Sequence, residues 1–398
     1  MRNGACVRYA PITRMSRILY LSPGVFDKGG ISRYSRFQVR ALRELVGENN
    51  VSVLSLLPPD SFGFERSFPV DFASLGTSFP GKALFALAAA STALSVGPHV
   101  VWSGHLGIGP LAIALARAAG AMSVTNIYGF EVWTNLRRLP AAALRRADYV
   151  VSDCHNTARY AADHDIRPAA RTVVHWDCVD VDRFNPDIPH AERSAVLARY
   201  GLPPAGEAFT VLTLGRMAQD TLHKGYDRLI DAFARLPRSI PARLVLAGDG
   251  VRRPSLEARA RAAGLEGRAF FLGRVHDDDL PAIYASADAF SLVTDMGPGR
   301  GEGIPLTPLE AAACGKPILV GNQDGSREAA EDGVSGFVLD PFDLDAIAER
   351  LARLAGDPAL RARMGEAARA RIAREHSYPR FRARTADLLR EMGLSPAT

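Results

Sequence analysis

Short apolar runs alternate along the chain with longer segments of helical spacing. Between the strand-like runs of the first half, Arg33–Leu45 and Pro110–Ala119 place apolar residues on one helix face. Six runs are predicted as strands: Arg17–Ser22, Val51–Leu56, His99–Ser103, Met122–Ile127, Asp148–Ser152 and Thr172–His175. Because near-continuous apolar strands suit burial on both faces, the pattern predicts a parallel sheet covered by helices.

The same alternation restarts in the second half. The segment 185–207, rich in proline and charge, is predicted to link two units, 15–184 and 208–377. We therefore expect an α/β protein of two doubly wound, Rossmann-like parallel-sheet domains, with ligands in the cleft between them. The predicted strands of the second unit are Phe209–Leu214, Arg243–Ala247, Ala269–Leu272, Asp288–Val293 and Pro317–Val320, with helices near 224–236, 252–263, 278–286, 308–314 and 343–355.

The composition is typical of a globular protein, since 47% of the 398 residues are hydrophobic and 23% are charged. The longest apolar run, Ala83–Val96, is shorter than the roughly 20 residues that span a bilayer, so we expect no integral membrane segment. Residues 1–14 lack the apolar centre of a signal peptide. Four cysteines without a CxxC pair predict neither a disulfide framework nor a zinc site. These features favour a cytoplasmic location.

The positive charge is concentrated in the first half. Residues 1–184 contain 20 Lys and Arg against 14 Asp and Glu, whereas the remainder contains 28 against 29. Nucleic acid is not an expected partner, because the sequence has no basic run with interleaved aromatic residues. Arg137, Arg138, Arg145 and Arg146 flank an Ala/Leu-rich segment. They form either a solvated helix face or a docking site for an anionic membrane surface.

Two glutamates eight residues apart, Glu302 and Glu310, lie in the segment Gly299–Pro317, where a loop leads into a predicted helix. Backbone N–H groups at a helix start suit a phosphate, and a carboxylate can accept hydrogen bonds from both hydroxyl groups of a ribose. Thr307 followed by Pro308 is also a favourable helix start, in which Glu310 would only complete a capping box. The local pattern leaves both interpretations open.

Two cations follow the first strand of the second half. Arg216 comes directly after that strand and Gly215, and Lys224, one of only four lysines in the chain, opens the next helix. A guanidinium and an ammonium group at the rim of a cleft suit a pyrophosphate, the first as a planar fork and the second as a point charge. The alternative is a solvated loop with two ordinary surface cations.

Taken together, these motifs resemble the retaining glycosyltransferases of family 4, which have the GT-B fold. The resemblance covers nearly the whole chain and implies two Rossmann-like domains facing a cleft, with the last helix, 378–398, packed back on the first domain. It is carried by Arg216 with Lys224, by Gly248–Gly250, by the Glu302 and Glu310 spacing with the following EAAACGKP, and by Val181–Pro186, which is similar to the family's hinge-side segment.

The resemblance implies roles for the candidate residues of the second domain. Arg216 and Lys224 would bind the donor diphosphate, Glu302 the donor sugar and Glu310 the nucleotide ribose. The remaining donor-binding positions implied there are Gly215, Gly303, Ile304, Pro305 and Leu306.

In the first domain, the turn Lys28-Gly29-Gly30-Ile31 matches the family's glycine-rich turn near the phosphate. His105 matches a histidine that reaches the donor sugar across the cleft. Only Glu131 is carried over as an acceptor contact, because Phe130 stands where the family often has a polar residue.

The implied activity is transfer of a hexose from a nucleotide diphosphate sugar to a glycan or glycolipid acceptor, as in cell-surface polysaccharide or lipopolysaccharide biosynthesis. The resemblance also implies retention of anomeric configuration by front-side attack. A UDP-sugar is the favoured donor and GDP-mannose the alternative. No metal or other cofactor is expected, since the DxD triplet Asp180–Asp182 falls in the hinge-side segment.

Two other functions remain open at this point. A nucleotide-sugar 2-epimerase of the same fold would use the same donor site without an acceptor. A non-catalytic nucleotide-sugar binding module would bind the donor and transfer nothing. For the transferase, the expected location is the cytoplasm, peripheral on the inner face of the membrane.

Overall fold

The computed structural model describes residues 16–27, 29–59, 68–72, 76–133, 136–168, 171–297 and 300–394. In the N-terminal half it contains the strands β1 (Ile18–Ser22), β2 (Val51–Ser55), β3 (Asp71–Phe72), β4 (Val100–Ser103), β5 (Met122–Ile127), β6 (Tyr149–Ser152) and β7 (Thr172–Val174). They form one parallel sheet in the order β3-β2-β1-β4-β5-β6-β7. The six predicted strands are confirmed to within one residue at each end, and the two-residue edge strand β3 is absent from the prediction.

A second parallel sheet follows in the C-terminal half. Its strands are β8 (Phe209–Leu214), β9 (Ala242–Ala247), β10 (Ala269–Gly273), β11 (Ala289–Leu292), β12 (Ile318–Gly321) and β13 (Gly336–Leu339). Their order is β10-β9-β8-β11-β12-β13, so the direction of winding reverses beside β8, as it does beside β1 in the first sheet. Ligands of doubly wound sheets bind outside the carboxyl ends of the strands at such reversals. The two-sheet α/β fold is therefore confirmed.

Helices cover both faces of each sheet. The helix α13 is missing from the prediction, although its buried residues Leu360, Met364 and Ile372 recur at helical spacing. The helices are α1 (Gly30–Val46), α2 (Phe79–Val96), α3 (Gly109–Ala119), α4 (Phe130–Trp133), α5 (Arg138–Arg146), α6 (His155–Asp163), α7 (His190–Arg199), α8 (Tyr226–Ala234), α9 (Arg253–Ala262), α10 (Leu280–Ser286), α11 (Leu306–Ala313), α12 (Leu344–Gly356), α13 (Pro358–Glu375) and α14 (Tyr378–Glu391).

The chain crosses between the two sheets twice. The segment 185–207 contains α7, whose Val196 and Leu197 are buried in the core of the C-terminal half. At the other end, α14 returns to the N-terminal sheet and buries Leu388 and Leu389 in its core, while residues 395–398 lie outside the described part. We call the first sheet with its helices and α14 the N-terminal lobe, and the second sheet with its helices the C-terminal lobe.

The apolar run Ala83–Val96 belongs to α2, which begins at Phe79 and has 18 residues. Among the described residues it is the one helix that is long and apolar enough to cross a membrane by length and composition, so the expectation that the run is too short needs correction. The helix packs against the first sheet through Phe85 and Ala93.

Candidate active site

The two lobes meet where the loops after β5 and β6 face the loop that precedes α11. Gly303 lies so close to the N-terminal lobe that a Cβ atom there would be 2.0 Å from Asp153 Oδ2 and 2.4 Å from the carbonyl oxygen of Tyr128. Only glycine permits this approach. The backbone N–H of Ile304 donates to Asp153 Oδ2 at 3.2 Å. Residues 303 and 304, predicted to bind the donor, therefore lie at the interlobe cleft.

Lys224 and Glu302 are in direct contact at this cleft. Lys224 ends the 3₁₀ turn Gln219–Lys224, and its Nζ donates to Glu302 Oε1. His223 Nε2 lies 2.9 Å from the same oxygen. Burial alone would raise the pKa of Glu302, but the Lys224 ammonium and the His223 ring outweigh it and lower the pKa to about 2. Glu302 is therefore ionised at neutral pH and can accept hydrogen bonds from sugar hydroxyl groups.

Asp324 anchors the loop that carries Glu302 through hydrogen bonds. The Glu302 backbone N–H donates to Asp324 Oδ2 at 2.9 Å, and Oδ1 accepts from the Thr294 hydroxyl at 2.9 Å and from the Ser326 N–H at 3.0 Å. Burial raises the pKa of Asp324 to about 6, although these N–H groups oppose the shift. The sequence reasoning missed this residue, which follows β12 at the carboxyl edge of the sheet.

Arg216 has most of its side chain in solvent and makes no contact with Glu302 or Lys224 among the described residues. The side chain is 70% exposed, and its Nη2 is 3.5 Å from Asp220 Oδ2. Its neighbour Gly215 continues β8, donating its N–H to the carbonyl of Ala247 at 3.0 Å. The Lys224 stem packs on Gly215, with Cδ 3.5 Å from where a Cβ would lie. Arg216 thus follows directly on the glycine that supports the Lys224 side chain.

Glu310 is buried and faces the other lobe. Its Oε1 accepts from Arg33 Nη1 of α1, and its Oε2 accepts from the Tyr284 hydroxyl at 2.8 Å. The helix α11 begins at Leu306 after Pro305, and no side chain caps it. The capping-box interpretation is therefore wrong, because the helix starts before Thr307 and the Glu310 carboxylate turns toward the N-terminal lobe.

Arg33 is the functional candidate that the sequence reasoning missed most clearly. It lies in the first turn of α1, where the helix dipole disfavours a cation. Two carboxylates of the C-terminal lobe offset this unfavourable interaction. Its guanidinium contacts Glu310 and lies 3.7 Å from Asp277. The sequence feature that could have identified Arg33 is a basic residue three positions after a Gly-Gly turn.

The glycine-rich turn precedes α1 directly. Gly29 is the N-cap residue with φ 152°, a conformation in which side chains are strained, and Gly30 is the first helical residue. Leu306 Cδ1 lies 3.8 Å from where a Gly30 Cβ would be, so the turn faces the start of α11. Lys28 lies outside the described residues.

His105 and Glu131 both contact Tyr128. The His105 ring stacks on the Tyr128 ring with centroids 6.2 Å apart, and its Nδ1 accepts from the Gly107 N–H at 2.9 Å. Glu131 Oε1 accepts from the Tyr128 N–H at 2.7 Å. Since the Tyr128 carbonyl borders Gly303, both predicted side chains are grouped near the cleft. One oxygen of the Glu131 carboxylate is thereby used within its own lobe.

A second contact holds the lobes together at the start of α6. Glu328 of the C-terminal lobe accepts from the backbone N–H groups of His155 at 3.0 Å and Asn156 at 2.7 Å. It also accepts from the Trp176 indole N–H at 2.9 Å. A carboxylate at a helix N-terminus is favourable electrostatically. The sequence pattern did not single out Glu328.

Two buried aspartates lie in the lobe interface near these contacts. Burial raises the pKa of Asp153 well above its usual range, and the neighbouring Asp177 adds to the shift. Burial also raises the pKa of Asp177 to about 8, although Arg33 opposes it. At neutral pH Asp177 is therefore mostly protonated in the folded protein, which limits the negative charge next to Glu310.

A metal-binding cluster of three or more His, Cys, Asp or Glu side chains is not found within the described ranges. Asp180 of the DxD triplet instead uses Oδ1 to accept from the backbone N–H groups of Asp182 at 3.2 Å and Arg183 at 3.0 Å. In the described part of the chain, Cys154, Cys178 and Cys314 are buried free thiols.

Comparisons with known proteins agree with this architecture. Residues 201–371 match the family described as Glycosyl transferases group 1. The chain is 35% identical over 288 residues to the GDP-mannose-dependent alpha-(1-6)-phosphatidylinositol monomannoside mannosyltransferase of Mycolicibacterium smegmatis, covering 69% of this chain and 72% of that protein. It is 33% identical over 299 residues to the enzyme of the same name from Mycobacterium tuberculosis, covering 73% and 76%. The crystal structure of Anabaena HepE in complex with UDP matches with a TM-score of 0.77 at 19% identity, over 94% of this chain and 100% of that one.

Proposed function

Because the chain belongs to the glycosyl transferases group 1 family and has the GT-B fold, we propose that it transfers a hexose from a nucleotide diphosphate sugar with retention of anomeric configuration. The observation that carries the proposal is the contact of Lys224 with the ionised Glu302 beside the lobe interface. A carboxylate that can accept sugar hydroxyl groups is thus paired with a cation suited to a diphosphate, and the exposed Arg216 follows the glycine on which the Lys224 stem packs.

The proposed chemistry follows the movement of charge. When the bond between the anomeric carbon and the phosphate oxygen breaks, its electron pair stays on the diphosphate. Lys224 and Arg216 stabilise that charge, and preorganised stabilisation of this kind is usually the largest contribution to catalysis. The acceptor hydroxyl oxygen forms the new bond on the same face of the sugar, and its proton passes to the leaving phosphate oxygen. No step of this scheme requires a metal ion.

For the donor, we propose GDP-mannose first and a UDP-sugar second. The support is the GDP-mannose dependence of the two mycobacterial relatives, which reverses the preference drawn from the sequence. The acceptor we propose is a lipid-linked glycan or glycolipid of the cell surface, because those relatives act on a phosphatidylinositol mannoside. A pathway such as lipopolysaccharide biosynthesis would be one instance of that class.

The experiment is a donor panel followed by product analysis. Thermal shifts with UDP- and GDP-sugars should select one nucleotide, and that donor with lipid extract should yield an α-linked product. Epimerised donor formed without any acceptor would favour the 2-epimerase. Donor binding without transfer or hydrolysis would favour the non-catalytic module. A β-linked product would contradict retention.

We also propose that the N-terminal lobe rests on an anionic membrane surface at the cytoplasmic face. The basic helix α5 and the apolar helix α2 both pack on α3, on the same face of the sheet. Arg138, Arg145 and Arg146 of α5 are exposed, and Leu87 and Leu94 of α2 are 69% and 87% exposed. Basic residues near such a surface contribute about 1 kcal/mol each, and apolar side chains add to the binding.

A further inference from the structure

His223 borders the proposed donor site, and the function proposed so far gives its side chain no role. The residue is 6% exposed, and its Nε2 lies 2.9 Å from Glu302 Oε1. Because the ionised Glu302 can only accept hydrogen bonds, Nε2 carries the proton and donates it. The ring is therefore a fixed donor aimed at one carboxylate oxygen.

Backbone contacts determine where this ring lies. The carbonyl oxygen of His223 accepts from the Asp295 N–H at 2.9 Å and from Arg228 Nη2 at 3.3 Å. Within the same turn, Thr221 Oγ1 is 2.9 Å from the carbonyl oxygen of Arg216. The backbone that carries the His223 ring is thus held by neighbours that do not touch Glu302 themselves.

Lys224 and His223 share a single oxygen of Glu302. Both donate to Oε1, and no hydrogen bond from the described residues reaches Oε2. Asp324 cannot replace them, since its carboxylate accepts from the Glu302 backbone N–H, and the buried Tyr226 hydroxyl makes no hydrogen bond to Glu302. If Lys224 moved to bind the donor diphosphate, His223 would be the remaining hydrogen-bond donor to Glu302 Oε1 among these two residues.

We infer that His223 is a positioning residue for Glu302: its Nε2–H retains Oε1 when Lys224 turns to the diphosphate, so that Oε2 stays directed at a hydroxyl group of the donor sugar. The inference rests on the proposed function, because it needs a sugar at Oε2 and a diphosphate at Lys224. Without this hydrogen bond, Glu302 could rotate as soon as Lys224 is engaged.

The test compares His223→Phe, which keeps a ring but has no donor, with His223→Gln, whose amide N–H can still donate. We expect His223→Phe to lower kcat by roughly 10- to 100-fold, the cost of one hydrogen bond to a charged group, with a smaller change in donor KM. His223→Gln should keep kcat within about threefold of the wild type, because its amide N–H can still donate to Glu302. His190→Gln, at an exposed position of α7, is the matched control.

The pH profile separates positioning from packing. His223 helps to lower the pKa of Glu302, so the acid limb of kcat/KM should move to higher pH in His223→Phe. Without any substrate, the ionised Glu302 stabilises the folded protein above its ordinary pKa and loses that effect as the pH falls toward 2. His223→Phe should therefore lose less stability than His223→Gln between pH 5 and 3, measured by thermal unfolding.

Equal behaviour of the two variants, in activity or in acid dependence, would overturn the inference. His223→Leu repeats the comparison if the phenylalanine variant does not fold. Failure of the proposed function is a separate result, since it would appear as a wild-type protein that transfers no sugar from any donor. In that case the acid dependence of unfolding would still show whether His223 stabilises the ionised Glu302 in the free protein.

Discussion

Arg33 of the N-terminal lobe and Glu310 of the C-terminal lobe form a buried ion pair across the cleft. Tyr284 donates to the other oxygen of Glu310 at 2.8 Å, so each carboxylate oxygen already has a protein partner. If Glu310 binds the nucleotide ribose, as the family resemblance implies, the ribose hydroxyl groups must displace the Arg33 guanidinium. The contact that closes the cleft would then compete with the donor for the same oxygen.

Removing the Arg33 cation should therefore favour nucleotide binding. We expect Arg33→Met to bind GDP or UDP about 5- to 10-fold more tightly. In this variant Glu310 Oε1 has lost its Arg33 partner, so a ribose hydroxyl group can donate to it without displacing a guanidinium. Isothermal titration calorimetry measures this change. Arg117→Met, at an exposed position of α3, should bind as the wild type does. Weaker binding by Arg33→Met would mean that Arg33 contacts the nucleotide.

Lys224 and Arg216 should affect turnover more than donor affinity. Stabilisation of the leaving diphosphate acts mainly in the transition state, so we expect Lys224→Met and Arg216→Met each to lower kcat by about 100-fold or more. Donor KM should change by less than about 10-fold in steady-state assays. Arg363→Met on α13 removes one exposed guanidinium far from these contacts and serves as the control. Wild-type turnover in both variants would refute the assigned roles.

Gly303→Ala should separate the Glu302 loop from the N-terminal lobe. The added methyl group would lie 2.0 Å from Asp153 Oδ2 and 2.4 Å from the Tyr128 carbonyl, so the loop must move. A displacement of about 1 Å in a positioned group can lower kcat roughly 100-fold. Gly356→Ala at the end of α12 meets no atom within 4 Å and should keep full activity. Activity retained by Gly303→Ala would show that the approach is not required.

Asp177 should make the protein less stable as the pH rises. Burial raises its pKa from about 3.8 to about 8, so the folded state binds a proton that the unfolded state has lost between these values. The free energy of unfolding then decreases across this window, by about 1.4 kcal/mol per pH unit at most. Asp177→Asn should gain stability relative to the wild type between pH 5 and 8, whereas the exposed Asp163→Asn should not. Melting temperatures at a series of pH values provide the comparison, and parallel curves for Asp177→Asn and the wild type would contradict it.

Membrane binding should depend on both α5 and α2. With vesicles containing anionic lipid, Arg145→Ser/Arg146→Ser should bind about 10-fold or more weakly, since each basic residue contributes about 1 kcal/mol. Leu87→Ser/Leu94→Ser should weaken binding at high salt as well, where charge is screened. Arg353→Ser/Arg363→Ser removes the same charge from the C-terminal lobe and is the control. If the amount of protein that sediments with vesicles depended neither on lipid charge nor on any of these substitutions, the proposed membrane-binding surface of α5 and α2 would be excluded.

The strand and helix pattern was readable from the sequence because most strands are buried along their length and therefore largely apolar. Every predicted strand lies within one residue of its observed position, whereas β3, β13 and several helices, among them α2, α6, α7 and α13, are absent from the prediction. The helix α7 lies in the segment 185–207, which was interpreted as a linker because it is rich in proline and charge. Among the site residues, the sequence singled out Lys224 and Glu302, which the structure brings into contact, whereas Asp324 and His223 were not recognised.

The sequence by itself determined the two α/β units, the family resemblance and the spacing of Glu302 and Glu310, since these follow from local apolar patterns and short motifs. Only the tertiary structure decided the partner of each carboxylate. Glu302 meets Lys224 from 78 positions away, and Glu310 meets Arg33 from 277 positions away. Such pairs depend on how two sheets and two lobes pack, and no local pattern of residues encodes that arrangement.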